Sequence, residues 1–471
     1  MIVPNDFQLD FSFFSQQTIS VKPVEENLSS DAGLLILRQF DEQHQFTAGF
    51  AEQLEDARRD PDHSLLEMVR SRVFGILAGY EDQNDHDALR RDAIFKLLAD
   101  RSPDDEDLAS QPTLSRFENS VTPADLLRLE EWFLQRFVDS FDEPPSEVTL
   151  DVDVFDDPTH GAQQLTLFHG YYKQYQYLVR VITCAANDLV VLPVLLYGTA
   201  DPALGVDIDL KRIVHALRAK FPDVLIHLRA DSGYGKPRVY QACEALRIDY
   251  SIGIGMNNVL KKNTDDLLQT AVAQYEATGQ PQRLFTGFEY QAGSWDRSRW
   301  VVVKCEAGPQ GTNRRAIVCN RPGARVVPAG AYDEFSERGE SENRNKELKC
   351  ELYADRLSDH RYMANCFRMF LHCVSHNLFV SLRQTIADPP AELPDELPTE
   401  ARTGRARRRD QNRRREADPL GEGHACTWRM RLIKVAARIQ VTARCVRVLL
   451  SGSWPFLHHF QDVGQALLAD P

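Results

Sequence analysis

Residues 147–161 read EVTLDVDVFDDPTHG. Val148, Leu150, Val152 and Val154 fall on one side of this run, and Asp151 and Asp153 on the other. Alternation with β-branched residues predicts a strand, which Pro158 and Gly161 should end. Two carboxylates on one strand face repel, and a buried carboxylate is costly without a cation or hydrogen bonds. A divalent metal is the usual compensation; a solvated acidic edge is the other reading. Asp156 and Asp157 follow the expected strand end and read as turn or capping residues. Another acid, Asp231, closes a buried-type strand in DVLIHLRADSGYG, residues 223–235. In the helical pattern that begins at Tyr332, helical spacing puts Phe335, Arg338, Glu342 and Lys349 on one face. A stripe mixing Arg, Glu and Lys is ordinarily a solvated, salt-bridged surface. His160 and His169 read as loop residues, because no His/Cys ligand set accompanies them.

Several elements must position these side chains. After the first strand, GYYKQYQYLVRVITCAAN and DLVVLPVLLYG predict two more strands, antiparallel if their connections are short. A helix from Asp207, the strand ending at Asp231, a helix from Pro237 and a strand from Tyr250 complete the set. This order predicts a mixed sheet with flanking helices. A helical crossover would let the first strand and the Asp231 strand be neighbours. Residues 1–145 read as helical, with Thr122 as an N-cap and Pro123 at a first helical position. Arg70, Arg72, Arg90 and Arg91 there suit either a packing domain or a DNA-binding domain. Residues 256–330 read as a β-rich insertion. It carries Trp295 and Trp300, which are packing residues or a platform for stacking bases. Residues 387–422 are rich in Pro, charge and Arg and read as a disordered linker, an Arg cluster that tethers or grips nucleic acid. Residues 423–471 should pack back on the body with a basic outer side.

The composition excludes several classes. With 471 residues, 43% hydrophobic and 26% charged, the chain suits a globular protein of several domains. It shows no apolar run of membrane-spanning length and no signal peptide. The nine cysteines are scattered and read as reduced thiols rather than a disulfide frame or zinc site. A net charge of -14 argues against coating nucleic acid by bulk charge, so any DNA partner must meet local basic patches.

The three acidic elements lie on the pieces expected of a ribonuclease-H-like fold. The helix resembles the Tyr-x2-Arg-x3-Glu-x6-Lys signature of a large class of bacterial insertion-sequence transposases. Phe335 stands where the signature has Tyr, followed by Arg338, Glu342 and Lys349. LDVDVFDDPTHGAQQ, HGYYKQYQYL, LRADSGY, RGESENRNKELK and ADRLSDHRYMANCFRM resemble blocks of the group typified by insertion sequence 1380. GYEDQNDHDALRRD and SQPTLSRFEN are similar to its N-terminal blocks.

The resemblance implies an α/β, ribonuclease-H-like catalytic core in residues 146–255 and 331–386, preceded by the helical N-terminal domain. It implies a DDE transposase that cuts insertion-sequence ends and transfers strands into target DNA. Asp153, Asp231 and Glu342 would be catalytic and would hold two Mg²⁺ or Mn²⁺ ions. Asp151 is the rival for the first position and a further candidate ligand. Arg338 and Lys349 would hold DNA phosphates. The implied partner is double-stranded DNA, both terminal inverted repeats and target, met by a homodimer in the bacterial cytoplasm with no membrane association. A non-catalytic DNA-binding remnant and a related metal-dependent nuclease are the alternatives.

Overall fold

The computed structural model describes residues 7–24, 26–387 and 423–469. The linker expected at 387–422 lies outside them, save for Ala387.

Nine strands form one sheet. They are β1 Glu147–Pro158, β2 Leu167–His169, β3 Gln174–Cys184, β4 Val190–Tyr197, β5 Leu225–Ala230, β6 Asp249–Ile254, β7 Gln282–Tyr290, β8 Arg299–Gly308 and β9 Gly311–Cys319. The order is β7-β8-β9-β6-β5-β1-β3-β2, with β4 also paired to β3. β3 runs antiparallel to both β1 and β4, while β1, β5 and β6 are mutually parallel neighbours. The central five, β4-β3-β1-β5-β6, have the ribonuclease-H-like arrangement.

The reasons are local. Val148, Leu150 and Val152 are fully buried, each worth about 1.5–3 kcal/mol of apolar burial. Parallel strands need crossovers. The helix Val206–Lys220 supplies one before β5, and the helix Pro237–Leu246 supplies the next before β6. Both pack with the end of the helix Pro123–Asp139 in one apolar layer. The other layer contains the helix Tyr362–Thr385, the N-terminal helices, and Phe155, Tyr177 and Val179 from the sheet.

The strands at 282–319 join the main sheet, because β9 pairs antiparallel with β6. The region is not all strand: Asn258–Lys262 and Asp265–Thr278 are helices. β1 also runs further than its sequence suggests, so Asp156 and Asp157 are strand residues. Pairing with β3 as far as Pro158 and Gln176 carries the strand through them.

The N-terminal helices are built as packing elements. Thr122 caps the helix Pro123–Asp139 in a reciprocal capping box with Asp125. Arg70 and Arg72 are buried rather than turned to a surface. Arg72 Nε donates to Glu118 Oε1 at 2.7 Å, and Arg368 donates to the other oxygen of that carboxylate. Against the cost of burial, these two guanidiniums hold Glu118 below the usual carboxylate range. At the other end of the chain, Ala437–Val441 and Val446–Leu450 form a hairpin that pairs with Leu28–Ser29. The helix Leu457–Ala469 follows and packs on the helix Leu34–His44. Among the described residues no helix is long and apolar enough to cross a membrane. All nine cysteines are free thiols.

Candidate active site

The parallel register of β1 and β5 ends at Val152 opposite Ala230. The next residues are Asp153 and Asp231, so the two acids stand side by side where β5 ends and β1 continues along β3. Asp231 turns into the short helix Ser232–Tyr234, and its Oδ1 accepts from Gly233 N at 2.8 Å.

The third acid comes from above the sheet. The expected single helix from Tyr332 is broken into Pro328–Ser336 and Gly339–Lys346, the second packing over β1. Arg338 sits at the break and bridges two acids. Its Nη1 lies 3.1 Å from Asp153 Oδ2, and its Nη2 lies 2.5 Å from Glu342 Oε1. Burial pushes the Asp153 carboxyl above its usual range; Arg338 opposes the push, and Asp231 and Glu342 add to it. Three carboxylates therefore sense one another around one guanidinium.

Their donor atoms are not drawn into one tight cluster. Among the described residues, two triplets of ligand-type side chains have donors all within 4.8 Å of one another: Glu147–His227–Glu334 and Glu347–Glu351–His424. Arg321 balances the first by pairing with both glutamates. Arg344, Arg383 and the Ala425 backbone N–H hold Glu347 in the second.

Asp151 has a different environment. It is only 2% exposed, and Arg229, its register partner on β5, forks onto both of its oxygens at 2.8 Å. Both oxygens are thus engaged by one arginine, away from the Asp153 group. The sequence signal for this pair was an arginine inside a largely apolar strand, two residues before Asp231.

Lys349 reaches the sheet at another point. Residues Glu347–Glu351 form a π-helix, which shifts the helical face. Lys349 Nζ meets Asp156 Oδ1 at 2.7 Å, further along β1 than Asp153. Burial opposes ionisation of Asp156, but Lys349 prevails and holds it below the usual range. Phe335 lies apart from the acids, against Tyr332.

Neither tryptophan presents a free platform. Trp295 is buried between Tyr240 and Tyr290, their ring centroids 5.3 and 5.5 Å away. Trp300 donates from Nε1 to Ala324 O at 3.1 Å, and Arg325 lies over its ring. A base cannot stack on Trp295 without unpacking this core, and Trp300 is a half-buried packing residue.

A ribonuclease-H-like sheet with acids side by side where two adjacent parallel strands part, and a third acid on a covering helix, is the architecture of a polynucleotidyl-transfer enzyme. Over residues 11–393 the sequence matches the family described as Transposase DDE domain group 1, and the chain belongs to that family. It is a DNA transposase. A similar solved structure is that of piggyBac transposase in a synaptic complex with hairpin DNA. It is 10% identical, covers 76% of this chain and 77% of that one, and has a TM-score of 0.41. No curated protein matches.

Proposed function

We propose that this transposase cuts the terminal inverted repeats of a bacterial insertion sequence, of the group typified by insertion sequence 1380, and joins them to target DNA at Asp153, Asp231 and Glu342. One observation carries the reading: Arg338 spans Asp153 and Glu342 where Asp231 emerges from the neighbouring strand. The donor set fits the cofactor that the family implies. It is all carboxylate oxygen, which suits hard cations such as Mg²⁺ or Mn²⁺. Its negative charge also exceeds what Arg338 alone balances.

Asp153, Asp231 and Glu342 would hold two such ions, which when bound supply activation of the attacking oxygen and stabilisation of the leaving one. Asp153 must be ionised to serve, and its burial opposes that ionisation. Arg338 is then free to turn its fork to a phosphate oxygen, and Lys349 can do the same as a point charge. The attacking group is water for cleavage and a DNA hydroxyl for joining, with no covalent bond to the enzyme. Asp151 contributes by fixing β1 to β5 rather than by binding metal.

Two ends must be handled together, so the working form is a homodimer on DNA. We place it in the bacterial cytoplasm. The Arg-rich 387–422 segment adds a sequence-independent grip on phosphates. In this reading residues 1–145 are a helical domain, and 256–330 extend the catalytic sheet.

The test is incubation of end-bearing duplex DNA with Mg²⁺ and either the parent protein or Glu342→Ala. The parent should cut and form strand-transfer products, and the variant should not. Equal activity would remove Glu342 from its role. Cutting without transfer would leave a nuclease.

A further inference from the structure

β2 and β3 are joined by a tight hairpin whose tip is Gly170, Tyr171, Tyr172 and Lys173. Its closing bond runs from Lys173 N to His169 O at 2.7 Å, and Lys173 adopts a positive φ of 56°. Four of the exposed side chains here are aromatic. Tyr171 is 84% exposed, Tyr175 58%, Phe168 51% and Tyr172 40%. Contiguous apolar exposure of this kind marks a binding surface.

The hairpin lies beside Asp156, three residues along β1 from Asp153. Burial and the nearby Asp156 carboxylate push the Tyr172 hydroxyl up, and Lys349 and Asp153 are also within its electrostatic reach. Gln174, at the start of β3, donates to Asp156 Oδ2 at 2.9 Å. The tip therefore continues the surface on which Lys349 lies.

The ring geometry favours one kind of occupant. Tyr171 and Tyr172 meet edge to face, with centroids 5.1 Å apart at 89°, and His169 packs against Tyr172 at 5.0 Å, so Tyr171 is the ring left most open. Phe168 and Tyr175 are likewise tilted at 67°. Open aromatic faces stack nucleobases of any sequence, and neighbouring cations take the phosphates. Lys173 is exposed at the tip, and Lys349 lies across Asp156. An unpaired nucleotide at a DNA end is the one whose base has a free face to offer these rings.

We propose that the Phe168–Tyr175 hairpin is a stacking site for unpaired nucleotides of the DNA end held at the Asp153–Asp231–Glu342 centre. It takes the role that sequence pattern offered to Trp295 and Trp300. The proposal rests on the carboxylate reading above for its location, but its test needs no cutting.

The full-length protein is titrated with two duplexes of one sequence. One ends in an unpaired overhang carrying a fluorescent adenine analogue, and the other is fully paired. The parent should prefer the overhang duplex and change the fluorescence of the stacked base. The double variant Tyr171→Ala/Tyr172→Ala should lose about tenfold of that preference, a size typical of one stacked base. Tyr171→Phe/Tyr172→Phe keeps both rings and should keep the preference, which separates lost stacking from lost folding. Equal preference in the parent and the alanine variant overturns the proposal. So does a drop in the mass of the DNA-free protein on alanine substitution, which would make the hairpin a contact between copies of the chain. Glu342→Ala is titrated in parallel. If it cuts as well as the parent while the hairpin result holds, the carboxylate reading fails and the stacking site stands.

Discussion

Asp151 and Asp153 lie on the same face of β1, and each meets an arginine, yet the two pairs are built differently. Arg229 comes from the facing position on β5 and engages both oxygens of a carboxylate that water barely reaches. The buried carboxylate is answered in full, and Arg229 also reaches the exposed Glu337 at 3.2 Å. Arg338 comes from a helix break and divides its guanidinium between Asp153 and Glu342, with Asp231 adjacent. There a single cation faces three anions, and Asp153 is pushed toward its protonated form. The first pair fastens two strands together. The second is left incomplete where β5 ends beside β1, which is where a charged ligand can enter. Residue type does not separate the two; charge balance and position along the strand do.

The sharpest way to break this contrast is to unpair the fastening. Arg229→Met leaves Asp151 buried without a partner and should cost about 3–5 kcal/mol of stability, read from urea denaturation. Replacing both, as Asp151→Leu/Arg229→Met, should recover most of that loss, because the desolvation cost disappears with the charges. An unchanged urea midpoint in Arg229→Met would place the two arginine pairs in one class. At the incomplete pair the effect should move from folding to chemistry. Asp153→Asn should slow cleavage of end DNA at least about a hundredfold, or about 2.7 kcal/mol in the barrier. Its folding should remain intact by the same denaturation measurement. A variant that unfolds, or one that still cuts at the parent rate, would erase the distinction.

Much of this was legible in sequence, for definite reasons. β1, β3, β4, β5 and β6 announce themselves because a strand buried on one face alternates, and one buried on both is continuously apolar. Asp153 stood in an alternating strand, Asp231 at a strand end and Glu342 in a helical stripe. What escaped depends on contacts distant in the chain. Arg229 is a register partner of Asp151, and register cannot be seen in one strand alone. The π-helix at Glu347–Glu351 moves Lys349 away from the face that regular helical spacing assigns it. Arg70 and Arg72 suited either packing or DNA binding in sequence, and their partners, Asp100 and Glu118, are distant in the chain. The aromatics near Trp295 and those at Tyr171 have similar composition. One set is enclosed by Tyr240 and Tyr290, and the other stands on a hairpin tip. Only the fold separates a core residue from a platform.

Lys349 lies between the two extremes, since it has one partner, Asp156, at a partly exposed position. Lys349→Gln should leave folding nearly unchanged and weaken DNA binding evenly across sequences. The slope of log affinity against log salt should fall by about 1, as for the loss of one phosphate contact. An unaltered slope would make the Lys349–Asp156 pair a second fastening.

The smallest effect, and the finest test of incompleteness, is in the pH dependence of stability. In the folded state Asp153 holds its proton more tightly than an ordinary carboxylate, chiefly because it is buried. Between the ordinary carboxylate range and that raised value, the folded protein binds more protons than the unfolded chain. Stability therefore falls as pH rises through this window, and above it a constant penalty remains. Asp153→Asn carries no such charge, so it should be more stable than the parent at neutral pH, and the gap should close in mild acid. Urea midpoints of the two proteins across that range measure the gap directly. Mg²⁺ should narrow it from the other side by stabilising the parent alone, because only the parent keeps the full set of carboxylates. A gap that ignores both pH and Mg²⁺ would mean that Arg338 already satisfies Asp153 as fully as Arg229 satisfies Asp151.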